Sequence, residues 1–142
     1  MTASIRDQIL DRFQALGSSI PNVVAYRSRE AAIARTEGTA ILVRWDDETV
    51  GNETVGLTKR DLAVTLTFIA RGSIPDKVAD PSIVAMHAAI YADQTLGGLC
   101  ARVIEEGTKP DFEVADQDAV AIVVSYRVRY LTPAVSLASL LT

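Results

Sequence analysis

Residues 119–132 read AVAIVVSYRVRYLT, and the stretch alternates almost without fault. Val120, Ile122, Val124, Tyr126, Val128 and Tyr130 fall on one side; Ala119, Ala121, Val123, Ser125, Arg127 and Arg129 fall on the other. A period of two is that of a β-strand with one face on a core. The second side is small and apolar in its first half and carries two arginines in its second. A solvated strand face is polar throughout, so this one is expected to be partly covered. The chain has little left over to cover it, which points to a partner.

Working outward, residues 59–71 repeat the pattern, with Leu62, Val64, Leu66, Phe68 and Ala70 opposite Asp61, Ala63, Thr65, Thr67, Ile69 and Arg71. Residues 39–45 form a third strand, apolar on both sides (Ile41 and Val43 against Leu42) and therefore interior. Residues 23–28 are a short extended segment, and 30–35 fit either a helical turn or a continuing strand. The segment DDETVGNETVGL, residues 46–57, is acidic and holds two glycines; it reads as a mobile loop over about 46–58, or a weak hairpin tip. Residues 4–16 place Ile5, Ile9, Phe13 and Leu16 on one helical face, with Thr2 or Ser4 as cap and Gly17 at the end. After Gly72-Ser73-Ile74-Pro75, Asp80-Pro81 reads as a helix start. Ile83, Met86, His87 and Ile90 then line a face that ends near Ala92. A second short helix is expected within 95–106, on Leu96, Leu99, Val103 and Ile104, followed by a strand at 111–115 and a turn at 116–118. The order predicts an α+β fold: a mainly antiparallel sheet of four to five strands with helices packed on one face.

At 142 residues the chain is expected to form a single domain, 1–142, with a C-terminal tail at 133–142. Apolar residues at 49% and charged residues at 23% are ordinary for a globular protein, and a core of this size forms without metal or disulfide. A net charge of −4 argues against direct nucleic-acid recognition. One cysteine, Cys100, excludes an intrachain disulfide and makes the reducing cytosol the simplest compartment. The first twelve residues carry Arg6, Asp7, Asp11 and Arg12, unlike a signal peptide, and no apolar run is long enough to span a membrane.

Catalytic chemistry is thinly represented. His87 is the only histidine and shares a helical face with apolar residues; its plainest role is structural. Cys100 reads as a small buried residue. One Cys and one His do not make a zinc site, the acidic loop lacks calcium-ligand spacing, and Leu96-Gly97-Gly98-Leu99 is no phosphate loop. No catalytic, cofactor or metal residues are assigned, and no cofactor is expected. The interface candidates are the alternating arginines Arg27 and Arg29 with Glu30, the acidic Asp46, Asp47 and Glu48, the pair Arg127 and Arg129, and the apolar tail residues Leu137, Leu140 and Leu141. Arginines at strand ends either pair with the acidic loop of a neighbouring copy or keep a solvated sheet edge from aggregating.

The order of segments IRDQILDRFQAL, IPNVVAYRSREAAI, AILVRW, RDLAVTLTFIARG, IVAMHAAIYADQTLGGL and DFEVADQDAVAIVVSYRVRYLTP resembles the tail terminator (minor tail) proteins of long-tailed phages and prophages. The resemblance covers essentially the whole chain and rests on element order and on fragments such as ADQTLGGL and YRVRYLTP, with no catalytic signature. It implies a non-enzymatic virion protein in the tail or neck region, made in the bacterial host cytoplasm. Its copies would form a ring, a hexamer, that caps the tail tube, stops its polymerisation and offers the surface for head–tail joining. The implied partners are further copies of itself, the tail tube protein and a head–tail connector protein, with no membrane. The alternatives are another neck component, such as a head–tail joining or tail completion protein, a bacterial cytosolic ligand-binding domain, and a small hydrolase using His87.

Overall fold

A computed structural model of the chain describes residues 3–27, 39–51, 56–111 and 119–139. The elements run α1 (Ile5–Ser18), β1 (Val23–Arg27), β2 (Thr39–Val50), β3 (Leu57–Arg71), α2 (Pro75–Ala92), β4 (Arg102–Asp111) and β5 (Ala119–Pro133). The five strands form one sheet in the order β1-β2-β3-β5-β4. β1 runs parallel to β2, and every other pairing is antiparallel. This is the expected α+β arrangement, with a mixed sheet.

The two alternating segments sit side by side at the sheet's centre. β3 and β5 pair without interruption from Leu57↔Pro133 to Arg71↔Ala119. Their apolar sides, Leu62 to Ala70 and Val120 to Tyr130, are buried in one core with Ile41 and Val43 of β2 and with both helices. α1 contributes Ile5, Ile9, Leu10 and Phe13 to that core, as its periodicity predicts, and α2 contributes Ala79, Met86 and Ile90. Ser4 caps α1, its Oγ accepting the Asp7 N–H at 3.1 Å. Gly17 lets the end of α1 approach β1: a Cβ there would lie 3.0 Å from Cβ of Ala25 and 3.4 Å from Cδ1 of Ile41.

Three local expectations change. The 95–106 segment is not a helix: Leu96, Gly97 and Gly98 all take positive φ, which a right-handed helix excludes, and β4 starts at Arg102. Leu96 and Val103 are still buried, reached through a turn and a strand instead of a helical face. α2 starts at Pro75, and Pro81 lies inside it. Pro75 sets the helical φ of the first turn. The buried face Ala79, Ser82, Met86, Ile90 then runs straight through Pro81, so packing outweighs the one lost backbone bond. Finally, β2 continues to Val50, past a bulge between Trp45 and Glu48, so Asp46, Asp47 and Glu48 belong to a strand. Of the link to β3, residues 52–55 lie outside the described residues, as do 30–35, 112–115 and 116–118.

A leucine at Gly17 would overpack the contact of α1 with Ala25 and Ile41. Gly17→Leu is expected to lower stability by about 1–3 kcal/mol. Gly17→Ala should be nearly neutral, because a helix-propensity gain of up to about 1 kcal/mol offsets the crowding. Urea unfolding of the two variants checks both.

Candidate functional site

β1 pairs with β2 only as far as Val43, and β4 pairs with β5 only as far as Arg129. Beyond those limits β2, β3 and β5 pair only with one another among the described residues. Glu48 to Val50, Leu57 to Asp61 and Tyr130 to Pro133 therefore make a three-stranded arm.

A buried carboxylate organises this arm. The bulge after Trp45 turns Glu48 onto the helix side of the sheet, opposite Leu62, where its side chain is 8% exposed. Glu48 accepts hydrogen bonds from Arg60 at 3.3 Å, from Arg6 of α1 at 3.5 Å, and from the Tyr130 hydroxyl. Arg60 also donates to Oγ1 of the fully buried Thr132 at 2.9 Å. The Arg6 guanidinium lies 4.4 Å above the Trp45 ring, a cation–π contact. Burial, and then the bond to Glu48, push the Tyr130 phenol well above its usual range, so the hydroxyl stays a donor. The tail closes the arm: the Ala134 N–H donates to the Gly56 carbonyl, and the Ile5 N–H at the start of α1 donates to Leu137 at 2.8 Å.

The sheet's other face carries no helix among the described residues. Register places Thr65, Thr67 and Ile69 of β3 beside Ser125, Val123 and Ala121 of β5 on it. Ala40 and Leu42 of β2 form a small buried cluster there with Tyr26 and Ile69 against it. Towards the arm the face becomes charged. Arg129 pairs with Asp61 at 3.0 Å and Arg127 with Glu106.

The structure thus gives each described arginine among the sequence candidates a partner within the chain. Arg27 bridges Asp7 at 2.9 Å and Asp11 at 2.7 Å on α1, and Glu48 is enclosed as above. Asp46 and Asp47 are exposed at the bulge, and Leu137 is half-exposed in the tail. Arg29, Glu30, Leu140 and Leu141 lie outside the described residues. Sequence reasoning missed Arg6, Arg60 and Tyr130 as partners of Glu48. It also missed the outward side of α2, where Ile74, Val78, Val84 and Tyr91 are exposed. Apolar residues at every helical angle from 74 to 92 were the available signal, hidden by starting the helix at Asp80.

His87 lies where α2 crosses β4 and β5. Its Nδ1 is 3.0 Å from the Tyr126 hydroxyl and 3.5 Å from a Glu105 carboxylate oxygen, and its ring stacks on Tyr91 at 4.5 Å. The Tyr91 hydroxyl accepts the Glu105 N–H at 3.1 Å. Burial pushes the Tyr126 phenol upward, the opposite of an activated nucleophile, so the cluster's evident work is to tie α2 to the sheet edge. Burial also pushes the Cys100 thiol up to about 12, which keeps it protonated and inert. Among the described residues no group of three His, Cys, Asp or Glu side chains is placed to hold a metal ion, and no helix is long and apolar enough to cross a membrane.

No protein-family model matches the chain. No curated protein matches it either. Among solved structures it is similar to a chain from the virion of a native gene transfer agent particle, 16% identical, covering 89% of this chain and 90% of that one at a TM-score of 0.40. A similarity at that score carries no functional argument.

Removing the buried carboxylate leaves Arg60 and Tyr130 without their acceptor. Glu48→Ala is expected to cost about 1–3 kcal/mol, and Tyr130→Phe about 1 kcal/mol, in chemical unfolding. A second test concerns Asp93, which accepts from Arg12 at 2.9 Å and from the Gly97 N–H at 3.0 Å. The Arg12 bond first, then the backbone bond, hold its carboxyl below its ordinary value of 3.8. A depressed carboxylate stabilises the fold above that ordinary value, and the contribution is lost as pH falls through the lower folded-state value. Asp93→Asn should therefore lower stability at pH 7 and flatten the acid limb of a pH–stability curve below about pH 4.

Proposed function

We propose that this chain is a structural protein of a phage-like particle: a tail terminator whose copies close into a ring, a hexamer, on the end of the tail tube. The ring stops tube polymerisation and presents the surface that meets the head–tail connector. The sequence resemblance along the whole chain supports this reading.

The observation that carries it is the sheet face on which no helix lies among the described residues. On β3 and β5 that face carries Thr67, Ile69, Val123 and Ser125, half-buried, and Thr65 and Ala121, buried, none of them charged. Both strands run down the middle of the sheet. A central strand whose second face meets only water is polar on that face. Small and β-branched residues, flat and closely paired, suit the backbone or side chains of a protein neighbour instead. The ion pairs of Arg127 and Arg129 border this surface.

Light scattering of the purified chain should show a species of about six chains, at high concentration or on addition of tail tube protein. With tube subunits polymerising, the chain should shorten the tubes seen by electron microscopy and be found at their ends. His87→Ala should change neither result. A chain that stays monomeric and leaves tube length unaltered overturns the proposal, as does turnover of a substrate that His87→Ala abolishes.

A further inference from the structure

The large apolar side chains left exposed fall mainly into two groups on different parts of the molecule. The N-cap Ile74 with Val78 and Val84 lies on the outward side of α2, Tyr91, packed on His87, stands at its edge, and Val84 is 60% exposed. Between Pro81 and Ala92 that side also presents Ala85 and Ala88, and no charge. A helix apolar all round belongs in an interior, yet one side of α2 faces the core and the other faces outward. The second group gathers at the arm. Trp45 lies under Arg6, Val50 lies two residues past Glu48, and Val135 and Leu137 lie in the tail held to α1 and to Gly56. Val135 is 95% exposed. β3 leads from the arm at Leu57 to Arg71, just before α2, so Ile74 and Val78 stand at the opposite end of the body.

We propose that the outward side of α2 is the docking surface for the arm and tail of a second copy of this chain. The inference rests on the ring reading and names its contact. Two observations favour a second copy. The first is area. The four α2 side chains leave roughly 400 Å² of apolar surface, about half of what one partner gives to a stable interface. The arm and tail offer a comparable apolar surface of their own. The second is charge. Asp76 and Asp80 flank the start of the α2 stripe, and Lys59 and Arg102 stand beside the arm; all four are exposed and, among the described residues, none has an ion pair. Lys77 near the stripe and Asp46 and Asp47 near the arm carry the opposite signs, so the apolar contact supplies the affinity and the charges set orientation. Because the two surfaces differ, the contact is head-to-tail, the kind that closes rings.

The test is a mixing experiment with Val84→Asp on α2 and Val135→Asp in the tail, both at exposed positions. Each variant alone should self-associate at least tenfold more weakly than the wild type in sedimentation, with an unchanged thermal melt. Mixed, they should form a one-to-one dimer and nothing larger, because one intact α2 surface then meets one intact tail. Val84→Ser and Val135→Ser repeat the test should either aspartate lower the melt. Wild-type chain that assembles while the variants assemble equally well overturns this contact and leaves the ring reading standing. Variants that dissociate but fail to pair on mixing overturn the head-to-tail assignment. Wild-type chain that never associates, with or without tail tube, overturns both.

Discussion

The unbroken ladder between β3 and β5 is what the rest of the molecule stands on. It joins segments far apart in the chain and makes the floor on which both helices lie. Its register sends Leu62 to Ala70 and Val120 to Tyr130 to the same side, and a slip of one residue would turn every one of them outward. The same register sets the other face. Arg129 stands opposite Asp61 because Leu62 stands opposite Val128. The arm is also a consequence, since it is the part of this ladder that outruns β1 and β4. Core, outer face and arm follow from one pairing.

Much of this was legible in the sequence because period-two alternation is a local signal that tertiary context rarely overrides when both strands are long. β3 and β5 were read with their correct inward residues, and α1 with its cap and its core face. The α+β class followed. What failed were places where two signals competed. Leu96, Leu99 and Val103 have helical spacing, but Gly97 and Gly98 accept left-handed backbone, and Asp93 rewards it by accepting the Gly97 N–H. Asp80-Pro81 has the form of a helix start, and an earlier proline with an equal claim, Pro75, lies one and a half turns upstream. The acidic stretch after Trp45 has loop composition, and nothing local shows that a bulge will turn Glu48 inward.

The candidate site was less legible, for a physical reason. Interface chemistry has no motif: it is a matter of which apolar and charged groups remain after the chain has satisfied its own. Charge alternation singled out Arg27, Arg127 and Arg129. Only geometry shows that Asp7, Asp11, Glu106 and Asp61 already answer them. Glu48 is the sharper case. A carboxylate in a run of acids looks solvated, yet Arg60, Arg6 and Tyr130 enclose it, and burial without those three would be prohibitive.

Glu48 also separates two roles that the acidic segment might have combined. Its oxygens are taken up by the chain's own donors, so it fixes where the arm stands relative to α1. Asp46 and Asp47, displaced to the bulge, keep their charges in solvent. An arm of three strands is held at its base by a buried ion network, with exposed Trp45 just before that base and exposed Val50 beyond it. α2 presents the complementary case: its inward side completes the core and its outward side is nearly as apolar. Neither feature improves the stability of a solitary chain, since exposed apolar surface gains nothing from water. Both become intelligible when the folding unit and the assembled unit are different things, with one hydrophobic pattern serving first to fold the chain and then to join it to another.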